Sequence, residues 1–125
     1  KVPVDRWTSW TRNRSFAVNA QTVVESRSFD VVHGLSRVRG LDSYRLTDPL
    51  QTHWVRTYYR HPWRRRLEQW NPRHRAIFAL ERELFGANGP RRIIVQSQLD
   101  ARLLQTYFRV DCARLRLVRN GVDLK

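Results

Sequence analysis

The sequence has little of several residue types, and each shortage excludes something. It contains one cysteine, Cys112, so it can form neither an internal disulfide nor a cysteine-based zinc site. No apolar run approaches the ~18 residues that a bilayer-spanning helix needs. The opening residues "KVPVDRWTSW" lack the apolar region of a signal peptide. These shortages favour a cytoplasmic protein. The 125 residues suffice for one domain, and because the first is not methionine we expect a piece of a longer protein.

Acidic residues are also scarce. The chain has 24 lysines and arginines against 11 aspartates and glutamates, and only Lys1 and Lys125 are lysines. The excess is concentrated in residues 53–75, which contain seven arginines, one acidic residue, three tryptophans and two tyrosines. Three interpretations are open: a solvated basic face, an anionic membrane surface that accommodates interfacial Trp and Tyr, and a nucleic acid that meets arginine and aromatic rings. We favour the membrane, on the inner face of the cytoplasmic membrane.

The predicted membrane contact is one exposed face of this segment. A helical spacing shared with Leu50 also makes Trp54 and Tyr58 candidates for the core. His61-Pro62 is expected to end or kink that helix, so that the following arginines turn away from it. The residues of the predicted surface are Trp54, Tyr58, Tyr59, Arg60, Trp63, Arg64, Arg65 and Arg66.

Short β-branched or apolar runs alternate with helical patterns along the chain. "FDVVHG", "RRIIVQS" and "ARLRLV" predict strands, of which the first two should be buried, and "LDSYRLTDP" predicts a weaker one. Strands that alternate with helices favour a parallel sheet covered on both faces. We therefore predict an α/β fold, a Rossmann-like three-layer domain with a mostly parallel sheet.

Helix starts are indicated by capping residues and prolines. Asp48-Pro49 and Asn71-Pro72 each combine a good N-cap with a proline at the first helical position. Ser97, followed three residues later by an aspartate, predicts the start of another helix. Leu99 and Leu103 are expected on the inner face of that last helix.

Ligands of open parallel sheets bind beyond the carboxyl ends of the strands. That rule predicts a functional edge formed by residues 33–39, 96–98 and 119–121. The chain contains no G-x-G-x-x-G, P-loop, nucleophile elbow or H-E-x-x-H motif, and its four histidines lack the spacing of a metal site. His33, expected at a strand end, is the most interesting histidine, although an isolated histidine is more often a structural residue.

The order of these signals resembles a known family. A strand that ends in serine ("RRIIVQS"), a helix ("LDARLLQTYF"), and a strand followed by "RNGVDL" are similar to the segment that closes the N-terminal domain of retaining glycosyltransferases of family 4. "FDVVHG" is similar to a strand of the same domain. "GLD" at residues 40–42 and the later "ERELF" look most like the lipopolysaccharide-core branch.

The resemblance implies the N-terminal, acceptor-side part of a GT-B enzyme, whose C-terminal donor-binding domain lies outside these 125 residues. Such enzymes transfer a sugar from a nucleotide-sugar to an acceptor without a metal ion; here the acceptor would be a lipid-linked or cell-envelope saccharide. The isolated piece should be inactive. His33 would be the candidate catalytic residue, near the reacting sugar. The implied substrate-binding residues are Gly34, Arg37, Arg39, Asp42, Ser97, Asn120 and Gly121. The alternative function is a non-enzymatic, basic nucleic-acid-binding module.

Overall fold

The computed structural model describes Val4 and residues 8–121 of the chain. Helices and strands alternate within this part, and a short 3₁₀ turn (Cys112–Arg114) precedes the last strand. The helices are α1 (Ser9–Glu25), α2 (Gln51–Tyr58), α3 (Pro62–Trp70), α4 (Pro72–Phe85) and α5 (Gln98–Phe108). The strands are β1 (His33–Gly34), β2 (Ser43–Arg45), β3 (Arg92–Val95) and β4 (Leu115–Leu117).

The strands form one sheet in which neighbours run parallel and the order β1-β2-β3-β4 follows the chain. The predicted α/β class, with a parallel sheet and flanking helices, is confirmed. The run "FDVVHG" contributes only His33 and Gly34 to β1. Val31 is 65% exposed, so the prediction of a buried strand over this run is wrong. The reason is that β1 is the first strand of the described sheet and has a neighbour, β2, on one side only.

Alternation along the strands gives this sheet one apolar and one polar face. Tyr44 lies level with Ile93, and Ile93 lies level with Leu115; all three are buried. Successive side chains of a strand point to opposite faces. Arg45 and Arg116, each one position further along its strand, therefore lie on the other face, where Arg116 is exposed and Arg45 half-buried.

The apolar face of the sheet packs against two helices. Leu84 and Phe85 of α4 and Leu104 of α5 belong to the same buried cluster as Tyr44 and Ile93. The Tyr44 and Phe85 rings meet edge to face, with their centroids 5.9 Å apart. Full burial of each large apolar side chain contributes about 1.5–3 kcal/mol, so this cluster holds α4 and α5 against the strands.

Two of the predicted helix starts are confirmed. The Asn71 side chain accepts a hydrogen bond from the Arg73 N–H, and Pro72 is the first residue of α4. The Ser97 side chain accepts a hydrogen bond from the Asp100 N–H at the start of α5. In both cases the cap satisfies a backbone donor that the helix itself leaves unpaired.

Two other predictions about helices are wrong. Helix α2 begins at Gln51, its N-cap is Leu50, and no side chain of the cap accepts a hydrogen bond. Asp48 does not cap it but accepts a hydrogen bond from Arg37. In α5, Leu99 is 60% exposed, whereas Leu104 is fully buried. The sequence pattern placed the inner face of α5 too close to its start.

The break at His61-Pro62 is confirmed, because α2 ends at Tyr58 and Pro62 begins a separate helix, α3. Trp54 and Tyr58 are 38% and 65% exposed, so their assignment to the core is wrong. Val55 is the buried residue of α2 instead. None of the helices in the described part of the chain combines the length and apolarity that crossing a bilayer requires.

Candidate functional site

Three polar side chains and one carbonyl form a connected array at the carboxyl ends of β2, β3 and β4. Arg45, the last residue of β2, donates from Nη2 to Asn120 Oδ1 at 2.6 Å. Asn120 Nδ2 donates to Gln96 Oε1 at 2.9 Å, and Gln96 Nε2 donates to the Leu46 carbonyl at 3.2 Å. We call these four residues the carboxyl-edge array. It lies where open α/β sheets bind their ligands.

The structure thus brings Gln96 and Asn120 together, as their positions after two neighbouring strands predicted. Sequence reasoning missed Arg45. Its signal was the alternation in "SYRL", which puts an arginine at the carboxyl end of a strand with a buried tyrosine before it. Asn120 is exposed and Arg45 is half-buried, so the array presents a guanidinium and two carboxamides close to solvent. Such groups donate to and accept from hydroxyl groups and donate to phosphate oxygens.

Ser97 and Gly121 lie at the same edge but differ in their surroundings. The Ser97 hydroxyl accepts from the Asp100 N–H at 3.1 Å and donates to Asp100 Oδ2 at 2.7 Å. It is therefore engaged in capping α5. Gly121 is exposed, and a Cβ added there would have no atom within 4 Å. A role of either residue in substrate binding stays a prediction.

The loop of residues 35–42 joins the parallel strands β1 and β2 without a helix, and Arg37 fixes it from inside. The Arg37 side chain is 15% exposed. Its Nη1 donates to Asp48 Oδ2 at 3.3 Å, and its Nη2 donates to the Pro49 carbonyl at 2.9 Å and to Glu81 Oε1 at 3.3 Å. Arg37 thereby ties the loop after β1 to the loop after β2 and to helix α4.

Glu81 is the buried partner in this network and the residue that caps α2. Its side chain is fully buried. Glu81 Oε1 accepts from the Gln51 N–H at 2.6 Å, and Oε2 accepts from the Thr52 N–H at 3.1 Å and from the Thr52 hydroxyl at 2.9 Å. A carboxylate at a helix start also interacts favourably with the helix dipole. This contact from α4 explains why α2 needs no cap from Asp48.

Sequence reasoning missed Glu81 because acidic residues are seldom fully buried. A signal was present: Glu81 follows Ile77 by four residues and precedes Leu84 by three, so it shares the inner face of α4 with them. Tyr44 lies close to the same charges. Burial raises the pKa of Tyr44 to about 12, and Asp48 and Glu81 raise it further while Arg37 lowers it. The Tyr44 hydroxyl is buried without a partner among the described residues.

The other predicted residues of this region make local contacts. Arg39 forms a two-pronged ion pair with Glu83, with both N–O distances at 2.6 Å, and the hydrogen bond to Glu83 raises the pKa of Arg39. Asp42 Oδ2 accepts from the Val32 N–H at 2.8 Å. Gly34 is buried, and a Cβ there would lie 2.4 Å from a methyl carbon of Leu41. Arg37 and Arg39 thus pair with acids of α4.

His33 does not lie at the carboxyl edge. It pairs with Ser43, the first residue of β2, and Ser43 pairs with Arg92, the first residue of β3. The expectation that His33 shares an edge with Gln96 and Asn120 is therefore wrong, because β1 begins at His33 rather than ending there. His33 Nδ1 and Ser43 Oγ are 2.6 Å apart. His33 is exposed, and its catalytic role stays a prediction.

Residues 53–75 form two exposed pieces rather than one continuous helix. In the first, Trp54 stacks on Tyr58 with ring centroids 4.6 Å apart, and the Tyr59 ring meets both edge-on. Six of the eight predicted surface residues are exposed, whereas Tyr59 and Arg65 are half-buried. Arg65 is half-buried because its Nε donates to the Tyr59 carbonyl at 2.6 Å.

The second piece is α3, which has an exposed apolar stripe. Trp63, Leu67 and Trp70 are 57%, 62% and 75% exposed. Their spacing of four and three residues places them on one helical face. Arg64 lies 5.1 Å from the centroid of the Trp63 ring. Leu67 and Trp70 were not among the predicted surface residues. We call Trp63, Leu67 and Trp70, with the neighbouring Arg64 and Arg66, the α3 surface.

Comparison with known proteins gives a consistent result. A family model described as Glycosyltransferase Family 4 matches residues 2–125. The fold is similar to that in the crystal structure of WaaG, a glycosyltransferase involved in lipopolysaccharide biosynthesis, with a TM-score of 0.85 and 21% sequence identity. The match covers 99% of this chain and 32% of that one, so this chain spans about a third of the length of WaaG. No curated protein sequence matches it.

Proposed function

Because this chain belongs to Glycosyltransferase Family 4, we propose that it is the acceptor-side part of a glycosyltransferase. The reaction transfers a sugar from a nucleotide-sugar, which is a substrate and not a bound cofactor, to a lipid-linked or cell-envelope saccharide. The donor-binding part belongs to a further domain of the same enzyme. The likeness to the lipopolysaccharide enzyme WaaG supports a saccharide of the cell envelope as the acceptor.

The observation that carries this proposal is the carboxyl-edge array. Arg45, Gln96 and Asn120 hold one another by hydrogen bonds of 2.6 and 2.9 Å, which fixes their positions before a ligand arrives. Prepositioned polar groups at the floor of a cleft orient an acceptor hydroxyl towards the donor, and such orientation accounts for much of the rate enhancement in group transfer. Asn120 is the most exposed of the three and would meet the acceptor first.

His33 remains our candidate for a group near the reacting sugar. Its Nδ1 is engaged with the Ser43 hydroxyl, so Nε2 is the nitrogen available to a substrate. A histidine whose one nitrogen is fixed in this way has a defined ring orientation. Gly34, Arg37, Arg39, Asp42, Ser97 and Gly121 would act by shaping the loops around the acceptor.

We test the transferase assignment with two matched arginine variants of the natural full-length protein. Arg45→Gln removes the guanidinium of the carboxyl-edge array. Arg92→Gln removes an arginine of the same sheet face from the other end of the sheet, where it donates to the Ala113 carbonyl. We expect Arg45→Gln to lower kcat/KM for the acceptor by about tenfold or more and Arg92→Gln to change it less than twofold. Equal effects would contradict the assignment of the array to the acceptor.

The isolated piece should have no transferase activity and negligible affinity for nucleotide-sugars, because each half of a cleft enzyme supplies only some of the stabilising groups. Calorimetric titration with UDP-, ADP- and GDP-sugars measures that affinity. Saturable micromolar binding by the isolated piece would mean that the donor site lies within these residues. Neither comparison favours the nucleic-acid-binding alternative.

We further propose that the enzyme binds peripherally to the inner face of the cytoplasmic membrane through the α3 surface. Trp63, Leu67 and Trp70 form an exposed apolar stripe, and the exposed Arg64 and Arg66 lie on the same short helix. An amphipathic helix of this kind lies in the interface, with tryptophan at the headgroup level and arginine near anionic lipid. Each basic residue near such a surface contributes about 1 kcal/mol.

Flotation with phosphatidylglycerol vesicles tests the membrane proposal. We expect Trp63→Ala to reduce flotation, and Arg64→Ser/Arg65→Ser/Arg66→Ser to abolish it at low salt. The matched control is Leu99→Ala, which removes an equally exposed apolar side chain from α5 and should float like the wild type. Binding should weaken as salt shortens the Debye length from ~10 Å at 0.1 M to ~3 Å at 1 M. If all variants float equally, or none floats, the membrane proposal is wrong.

A further inference from the structure

A second basic concavity lies away from both proposed surfaces. It is a cleft of about 850 Å³ between α2, α4 and the end of α5. Arginines line it from three parts of the chain: Arg56 from α2, Arg75 and Arg82 from α4, and Arg109 from the residue that follows α5. The cleft shares no residue with the carboxyl-edge array or with the α3 surface. Its chemistry is therefore a separate question from the transfer reaction.

The charge of this cleft is uncompensated. No aspartate or glutamate lines it. None of its four guanidinium groups forms an ion pair with a carboxylate of the described residues, whereas Arg37 and Arg39 on the neighbouring loop both do. A surplus of arginine makes some unpaired guanidiniums inevitable. Four of them around one concavity repel one another, and an anion bound between them relieves that repulsion.

Two of the arginines are held in place by features that stability alone does not require. Arg109 has φ 54° and ψ 36°, the left-handed conformation that glycine adopts most easily at a helix end. It is the one non-glycine residue with positive φ in the described part of the chain. Backbone outliers of this kind cluster at functional sites. The Arg56 guanidinium lies 4.9 Å from the centroid of the Tyr107 ring, a cation–π contact that restricts its position.

We propose that this cleft binds a phosphate-bearing ligand. Guanidinium groups bind phosphate through two parallel N–H···O hydrogen bonds, and four of them suit a doubly charged phosphate or a pyrophosphate. Phe78 and Phe108 give the cleft a partly apolar lining, which suits a ligand whose phosphate is joined to a less polar group. The phosphate belongs either to a lipid headgroup or to a soluble compound. The proposal does not depend on transferase activity.

The test compares two variants of the natural full-length protein that lose the same charge. Arg82→Gln/Arg109→Gly removes two arginines of the cleft. Arg12→Gln/Arg102→Gln removes two exposed arginines that do not line it. Inorganic pyrophosphate and dihexanoyl phosphatidic acid below its micelle concentration are titrated by calorimetry. Binding elsewhere in the enzyme survives in both variants, so the component that counts is the one lost only from the cleft variant.

We expect saturable pyrophosphate binding by the wild type and the control, weakened about tenfold or more in the cleft variant because charge-assisted hydrogen bonds are lost. Tighter binding of the phosphatidic acid assigns the site to a lipid headgroup, and equal or weaker binding assigns it to a soluble phosphate. Arg109→Gly alone should weaken binding while its Tm stays equal or rises, since glycine relieves the left-handed backbone. Equal affinities of the two double variants, or no saturable binding by the wild type, would overturn the proposal.

Discussion

Replacing Glu81 by glutamine tests how the loops at the carboxyl edge are held. The Glu81 carboxylate accepts hydrogen bonds from two backbone N–H groups, one hydroxyl and Arg37. Glutamine has nearly the same shape, but it is neutral and offers only one acceptor oxygen. Its NH₂ group would face donors of the first turn of α2. The change therefore leaves the Arg37 guanidinium without its buried counter-charge and part of that turn without a cap.

The size of this effect follows from burial rather than from distance. Removing one partner of a buried ion pair costs about 3–5 kcal/mol, and because glutamine keeps one acceptor we expect a loss of about 3 kcal/mol in the free energy of unfolding. Glu83, two residues along the same helix, pairs with Arg39 at 2.6 Å, closer than the 3.3 Å between Glu81 and Arg37. Its side chain is 46% exposed, so Glu83→Gln should cost less than about 1 kcal/mol.

Urea unfolding followed by far-ultraviolet circular dichroism measures both variants at neutral pH. They lose the same charge from the same helix, so each serves as the control for the other. Adding 0.5 M NaCl should reduce the small Glu83 effect and leave most of the Glu81 effect, because salt screens exposed pairs more than buried ones. If Glu83→Gln destabilises as much as Glu81→Gln, the argument that burial decides the energy of these pairs is refuted.

Two further predictions concern single side chains. Because burial raises the pKa of Tyr44 to about 12 from 10.0, the folded state keeps this proton where the unfolded state loses it. Stability should be fully present below pH 10 and fall by about 2–3 kcal/mol as the pH rises from 10 to 12. Tyr44→Phe should be at least as stable at pH 8 and lose less in urea unfolding at pH 11; an unchanged pH profile would contradict the assignment. Ser97→Ala removes the cap of α5 and should lower the free energy of unfolding by about 1 kcal/mol, whereas Ser97→Asn should retain most of it; equal losses would show that the cap contributes nothing.

The sequence was most informative where a local signal and tertiary packing agree. Asn71-Pro72 and Ser97 start helices as predicted, because capping depends on a side chain two or three residues away. The parallel class of the sheet followed from the alternation of strands and helices. Asp48 failed as a cap because Glu81 reaches the start of α2 from another helix, some thirty residues along the chain. Such a contact leaves no trace in the spacing around Asp48.

The candidate site was predictable in part. Gln96 and Asn120 could be placed at one edge because both follow strands of the same parallel sheet, but Arg45 could not be joined to them without the lengths of β2 and β4. His33 was misplaced because the run before it looked like a strand, whereas only the last two residues pair. The apolar stripe of α3 was overlooked because charges dominate that segment's composition.

The alternation of apolar and polar faces along these strands also fixes their pairing. A slip of β2 or β4 by one residue would turn Tyr44 or Leu115 away from α4 and α5 and direct Arg45 or Arg116 into the apolar cluster. A side-chain period of two leaves no intermediate register, and a guanidinium buried without a partner costs several kcal/mol. A parallel sheet made of apolar residues on both faces would tolerate such shifted pairings more easily. The arginines of the polar face thus exclude misregistered folds of this chain, whatever ligand they also meet.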